Sequence, residues 1–490
     1  GISTTDNSYY VFIGLPNATS VASDWNSNTP SPIDNFDEHD NIYDTLISAK
    51  KITSSDVLRV IKKITWSSGT IYEMYRPDYS INKLSPQTSS TNLYSTNYYV
   101  MNSDFRVYEC IYNGASPSNS GGGVISLEEP VHTDLQPRQE SDGYVWKYLY
   151  TIKPSDIIKF DSADYIPVPD NWSTNTDVAD VRNSAVDGKI ETIVIEDVAN
   201  ATYQFNGTKN GVPIRGDGSD GLASVTFING KPSAVQVTNG GSGYSFATLD
   251  LDAVVTGSGA SFSVIVPPPG GHGADIYREL GANKVLVYSR IENSDVTNPD
   301  FPTGNQFARI GIIENPQQFG STNLLTIASA SGVYGLKLVG AATTSMSVKV
   351  DGEIRQTTGI GSTAVGQIIG YDPVTKSLQY WQDRSLATND SSGNKPTYGY
   401  KLNRFTASPA TGGSTNVVVT TTGGTETLSI DTGFTGVSTT VNSQTYYFGQ
   451  TYNSGLANPE IKKYSGNIIY IDQRPEVTRA TNQREDIKII

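Results

Sequence analysis

The stretch from Ser141 to Phe160, SDGYVWKYLYTIKPSDIIKF, constrains the fold more than any other part of the chain. Asp142-Gly143 signals a turn, because glycine takes the positive φ that other residues resist. Behind it, Tyr144, Val145, Trp146, Tyr148, Leu149, Tyr150 and Ile152 crowd aromatic and branched residues together. At period two, Tyr144, Trp146, Tyr148 and Tyr150 share one face, with Val145, Leu149 and Thr151 on the other. Only Lys147 and Thr151 interrupt the apolar run, which predicts a central strand covered on both faces. Pro154 ends it, and Ser155-Asp156 opens a short helical turn carrying Ile157, Ile158 and Phe160. Nothing in the stretch is an obvious nucleophile, base or metal ligand, so it reads as a packing element.

The rest of the 490 residues follows the same tone. Strands are expected at Tyr9–Gly14, Ile71–Tyr75, Tyr98–Met101, Phe105–Ile111, Met346–Val350, Tyr446–Phe448, Ile468–Asp472 and Ile487–Ile490. The segments GANKVLVYSRIE and FARIGIIENP also have buried-strand character. Thr53-Ser54-Ser55-Asp56 ahead of Val57, Leu58, Ile61 and Ile64 predicts a short capped helix. Asp24 to Asp40 reads as a polar loop, Gly121–Gly123 as a flexible one, and Tyr165–Trp172 as an extended edge or linker. From Ile190 to Val266, and again from about Ser321 to Gly455, Thr, Ser, Gly and Val dominate, with short strands between glycine turns. Pro267–Gly271 closes the first of these stretches as a linker. With 29 Tyr and 46 Gly, the chain is expected to be mainly β. The arrangement anticipated is an α+β, β-sandwich-like core with a few short helices, interrupted by two small β-rich modules. The core comprises residues 1–180, 272–320 and 456–490; the insertions are 181–271 and 321–455.

Charge and cysteine content narrow the functions. The net charge of −14 disfavours nucleic-acid backbones and anionic lipid alike. Cys110 is the sole cysteine and lies in an apolar run, which predicts a buried, inert thiol. No apolar stretch has the length of a membrane span, so membrane insertion is not expected. The start YYVFIGLP is abrupt, and residues are expected to precede Gly1.

Candidate chemistry is sparse. His39, His132 and His272 lack metal-ligand spacing, and each is expected on a polar loop. Asp34, Asp37, Glu38 and Asp40 do not have the spacing of an EF-hand, and a solvated loop explains them better. Asp217–Gly221 with Asp250 and Asp252 leaves calcium as a minor option beside Asx turns. Arg215-Gly216-Asp217 spells an adhesion tripeptide that chance explains. The glycine runs match neither a P-loop nor a dinucleotide fingerprint, and no GxSxG elbow occurs. No enzymatic activity, cofactor, metal or small-molecule substrate is expected.

DGYVWKYLYTIKPSD resembles a segment of the baseplate wedge protein of T-even-like contractile-tailed phages, the product of gene eight. SGNIIYIDQRPEVTRATNQREDIKII, Ser465 to Ile490, is similar to that family's end. FARIGIIENP, Phe307 to Pro316, and YYVMNSDFRVYECIYN, Tyr98 to Asn113, resemble two further blocks. All four occur in the family's order. The remainder looks like the enlarged forms carried by cyanobacterial phages. The resemblance implies a structural virion subunit, made late in the host cytoplasm and assembled into the tail baseplate. It implies a homodimer in each wedge, next to other wedge proteins and those near the short tail fibres, passing on the rearrangement that triggers contraction. The motif residues it singles out for packing or interface roles are Asp142, Gly143, Tyr144, Trp146, Tyr148, Phe307, Ile310, Pro316, Tyr470, Arg474 and Pro475. A receptor- or carbohydrate-binding tail module using the two β insertions is the alternative, and a polysaccharide-degrading tail enzyme a third option.

Overall fold

The aromatic run becomes the strand Val145–Thr151, paired antiparallel with Arg106–Tyr112 on one side and Arg138–Gln139 on the other. Its register carries two irregularities. Val107 faces Tyr150 while Tyr108 faces Tyr148, so Leu149 is an extra residue on its strand; Ile111 is likewise extra on the partner. Such a bulge shifts the side chains beyond it to the other face. Trp146, Lys147, Leu149 and Tyr150 are consequently all buried, Tyr148 is half-buried and Thr151 exposed. Strict alternation over the whole run therefore fails at Leu149.

The computed structural model describes residues 7–14, 39–119, 121–292, 306–350, 352–382, 403–479 and 484–490. It is mainly β, and the α-helices among the described residues are short: His39–Asp44, Pro154–Phe160, Ala179–Ser184 and Ile276–Glu279. No helix among them is long and apolar enough to cross a membrane. The chain divides into two compact units, one of residues 58–286 and one of residues 1–57 with 287–489. These divisions differ from the boundaries at 180, 271, 320 and 455 suggested by composition.

In the 58–286 unit, Tyr99–Met101, Arg106–Tyr112, Val145–Thr151 and Arg138–Gln139 form one four-stranded sheet. Gly207–Gly216, Leu222–Ile228, Lys231–Asn239 and Ala247–Leu249 form another, and Thr192–Asp197 pairs with Ser261–Ile265. The main core of this unit is built on tyrosine: Tyr72, Tyr75, Tyr79, Tyr98, Tyr99, Tyr108, Tyr144 and Tyr150 are buried with Trp146 and Trp172. Tyr144 stacks on Trp146 with ring centroids 5.4 Å apart, and Tyr72 meets the same indole edge-on at 5.8 Å. Each such pair adds roughly 0.5–1.5 kcal/mol beyond the area it buries.

In the other unit, Tyr9–Gly14 lies between Leu46–Lys51 and Gln306–Glu314, and the latter pairs onward with Asn467–Arg479. Ser329–Ser331 completes that five-stranded sheet at its Leu46–Lys51 edge. Lys284–Glu292 pairs through Val287–Glu292 with Arg484–Ile489. A nine-stranded sheet takes all its strands from the segment between Tyr334 and Ala457. Its core includes Leu336, Ile354, Ile368, Leu378, Tyr380 and Val417.

Three expected elements take a different form. Val57–Lys62 is a strand and not a helix, preceded by a 3-10 turn at Ser54–Asp56 with a capping box between Thr53 and Asp56. The cap signal is real, but one turn rich in Val and Ile is too short and too β-branched to propagate as a helix. Ile71–Tyr75, buried from Tyr72 onward, joins no ladder. Its polar backbone is satisfied mostly by side chains: Tyr72 N–H donates to the Tyr144 hydroxyl at 3.0 Å, Glu73 N–H to Asn97 Oδ1 at 3.0 Å, and Asn113 Nδ2 donates to the Tyr72 carbonyl at 2.9 Å, while Tyr75 N–H donates to the Cys110 carbonyl at 2.8 Å. Met346–Val350 is reduced to a single bridge between Val348 and Thr421.

Candidate functional site

The polar centre of the 58–286 unit is assembled from two places in the sequence. Glu109 sits in the middle of the Arg106–Tyr112 strand, facing Tyr99 and Lys147 in the register. His272 and Glu279 come from one local unit, the loop after Pro267–Pro269 and the Ile276–Glu279 helix. Asp275 caps that helix, its Oδ1 accepting the Tyr277 and Arg278 N–H groups at 3.1 and 3.4 Å. Gly271 has φ of +89°, and a Cβ there would lie 2.3 Å from the Val186 carbonyl oxygen. The loop carrying His272 can pack this closely only as glycine.

The three side chains converge on one atom. Nδ1 of His272 is 2.8 Å from Glu109 Oε2 and 2.8 Å from Glu279 Oε1. Both carboxylates are fully buried and the imidazole side chain is 5% exposed. Glu279 is held further by the Gly273 N–H, which donates to Oε2 at 2.8 Å. Tyr98 donates its hydroxyl to the Glu279 carbonyl at 2.6 Å, and Tyr75 meets the imidazole edge-on at 4.8 Å. Glu109 differs: neither of its oxygens has a hydrogen-bond partner. A single N–H aligned on Glu279 cannot also serve Glu109 well.

The electrostatics follow from burial and proximity. Burial, then the charge of Glu279, pushes Glu109 well above the usual carboxylate range, against a smaller pull from His272. Burial also penalises charge on Glu279, but the hydrogen bond and charge of His272 outweigh it and hold this carboxyl below its ordinary value. For His272, burial disfavours the imidazolium, and the two carboxylates reverse that and raise it. By position alone, the cluster brings one imidazole nitrogen and two carboxyl groups within 4.8 Å of one another, the spacing of a cation site.

The histidines depart from expectation. His132 and His272 are both buried, not on polar loops. Beside His272 the run of glycines imitates a solvated loop while folding inward. His132 has both ring nitrogens without a hydrogen-bond partner, its nearest carboxylates lying 4.0 Å away at Asp134 and Glu140, and burial lowers its pKa. The side chains of His39 and Asp40, and the whole of Asp34, Asp37 and Glu38, lie outside the described residues. Asp217 serves a turn: Oδ1 accepts the Ser245 and Phe246 N–H groups at 2.9 and 3.2 Å and Oδ2 the Ser245 hydroxyl. Asp250 pairs with Arg215 at 3.4 Å. Cys110 is buried, and burial raises its thiol well above its usual value.

The motif residues fall in both units. Gly143 takes φ of +94°, and Asp142 organises the segment before it. Its Oδ2 accepts the Leu127 and Glu128 N–H groups at 2.8 and 3.0 Å, and its Oδ1 the Tyr144 N–H at 3.0 Å. Tyr144 and Trp146 are buried, and half-buried Tyr148 shares a 2.8 Å hydrogen bond with the Thr151 hydroxyl. In the other unit Phe307, Ile310 and Pro316 are buried and Tyr470 is half-buried. Arg474 and Pro475 belong to the Asn467–Arg479 strand, with side chains outside the described residues. Sequence reasoning missed Glu109 and Glu279, and it missed Arg309, buried inside FARIGIIENP and donating to the Thr45 hydroxyl at 3.0 Å. A charged residue in the middle of an apolar strand run was the available signal for Glu109 and Arg309.

No protein-family model matches the chain, and no curated protein matches it either.

Proposed function

We propose that the chain is a structural subunit of a phage tail baseplate wedge, joining neighbouring wedge proteins and passing on the rearrangement that precedes contraction. One observation carries this reading. The four segments that resemble the wedge family pair as strands two by two, one pair in each compact unit. Within Tyr98–Asn113, the strands Tyr99–Met101 and Arg106–Tyr112 pair with each other, and the latter pairs with Val145–Thr151. Phe307–Glu314 pairs with the strand that begins at Asn467. Segments far apart in sequence thus carry both the resemblance and the sheet cores, as expected where a shared scaffold, and not a loop-borne chemistry, is what the sequences have in common.

The surface fits a protein partner. The segment 124–135 exposes Ile125, Leu127 and Val131, each more than half exposed, and Asp142 ties its backbone down. A fixed apolar strip suits docking onto another protein, in a homodimer or with other wedge proteins. The test is genetic: a nonsense mutation in the parent phage should yield heads and fibres but no complete baseplates. Normal baseplates with lost host adsorption would instead support a receptor-binding module.

A further inference from the structure

We propose that Glu109, His272 and Glu279 bind one divalent first-row transition-metal ion of the zinc or manganese class, as a structural centre that ties the Ile276–Glu279 helix to the central sheet of the 58–286 unit. This does not depend on the baseplate reading.

Geometry carries the proposal. An imidazole nitrogen carries at most one hydrogen, so it aligns a hydrogen bond well on one acceptor only. Here Glu109 Oε2 and Glu279 Oε1 approach the same imidazole nitrogen at 2.8 Å each, and the candidate ligand atoms of the three residues all lie within 4.8 Å of one another. An ion with bonds of about 2.1 Å spaces its ligands about 3.0–3.4 Å apart, so outward shifts of a few tenths of an ångström seat it. Both Glu109 oxygens lack a hydrogen-bond partner although the side chain is fully buried. Apart from the 2.8 Å contact with His272 nothing meets this buried carboxyl, and a buried carboxylate is strongly unfavourable without a cation. Its second oxygen provides a fourth ligand by bidentate binding.

The surroundings match a metal centre in two further ways. With His272 neutral and both carboxyls ionised, as ligands must be, the three side chains carry −2, which one divalent ion cancels, and binding displaces the protons that burial and proximity otherwise favour on Glu109 and His272. Lys147, opposite Glu109 in the register, is engaged elsewhere, donating to the Leu135 carbonyl at 2.9 Å. The Gly273 N–H fixes the outer oxygen of Glu279 at 2.8 Å, the type of support that orients ligating carboxylates. An imidazole with two carboxylates suits zinc, manganese or ferrous iron better than calcium or magnesium, which take oxygen ligands.

The experiment uses the full chain, expressed in medium supplemented with zinc or cobalt and dialysed against metal-free buffer. Elemental analysis should find about one ion per chain, and chelator should lower the melting temperature of the parent. Cobalt-grown protein should show visible d–d absorption. Glu109→Gln should lose metal affinity by at least about tenfold, and its melting temperature should no longer respond to chelator. A parent that holds no zinc, manganese, iron or cobalt after supplemented growth, with a chelator-independent melting temperature and no cobalt absorption, overturns the proposal. So does metal retained equally by Glu109→Gln and His272→Asn. Should these variants fail to fold, the parent's metal content and cobalt spectrum decide alone.

Discussion

The hydroxyl of Tyr144 accepts the main-chain N–H of Tyr72 at 3.0 Å and donates to the Val124 carbonyl at 2.7 Å. One phenol thereby supplies one of the partners that a neighbouring strand would otherwise give the Ile71–Tyr75 segment. Tyr144→Phe keeps the ring and its stacking but strands a buried N–H. It should destabilise the protein by about 1–3 kcal/mol, read as a lower denaturant midpoint with an unchanged slope. A midpoint equal to the parent's would mean that water replaces the hydroxyl without loss.

Trp146 is fully buried between Tyr144 and Tyr72, and its indole N–H has no hydrogen-bond partner. Trp146→Ala should cost about 3–5 kcal/mol. Trp146→Phe should cost clearly less, because no hydrogen bond is lost and part of the stacking survives. Equal costs for the two, measured by urea denaturation, would contradict a pure packing role.

Asp142 accepts three main-chain N–H groups, two of them from the apolar 124–135 segment. Asp142→Ala should raise amide exchange at Leu127 and Glu128 far more than in the Val145–Thr151 strand. Global stability should fall by about 1 kcal/mol, as when a capping carboxylate is removed. Uniform loosening of the whole unit would show that the carboxylate holds more than this segment.

Arg76 and Lys83 each contact both Asp78 and Glu196, at 2.7–2.9 Å. Burial alone would raise both carboxyls. The hydrogen bonds and charge of Arg76 and Lys83, joined at Glu196 by a hydrogen bond with Ser263, outweigh it and hold each at about 2, from ordinary values of 3.8 and 4.5. Depressed carboxyls stabilise the fold fully above their unfolded pKa and lose that contribution as pH falls to the folded value. The network should therefore be intact at pH 6 and weaken between about pH 4.5 and 2. Glu196→Gln should flatten the fall in stability across that window, seen in denaturation midpoints at pH 6 and pH 3. An identical acid slope in the variant would remove Glu196 from the cause.

The fold was legible where alternation and β-branching agree, as at Tyr9–Gly14 and Arg106–Tyr112. It was illegible where side chains take over backbone hydrogen bonds, because Ile71–Tyr75 has the composition of a strand and the partners of a loop. The bulge at Leu149 was equally hidden, since one extra residue depends on the partner strand. The candidate site was hardly legible. Glu109 and His272 meet only through the tertiary fold, and the glycines beside His272 have the appearance of solvated linker. What identifies the cluster is convergence on one nitrogen, which spacing in the sequence does not encode.

The central claim, a structural role in the baseplate, is tested most directly by a density map of the intact phage tail. Both compact units should fit density inside each wedge, with the 124–135 strip covered by a neighbouring protein chain. Density for this chain only at fibre tips or on the outer tail surface, with that strip exposed, would contradict it.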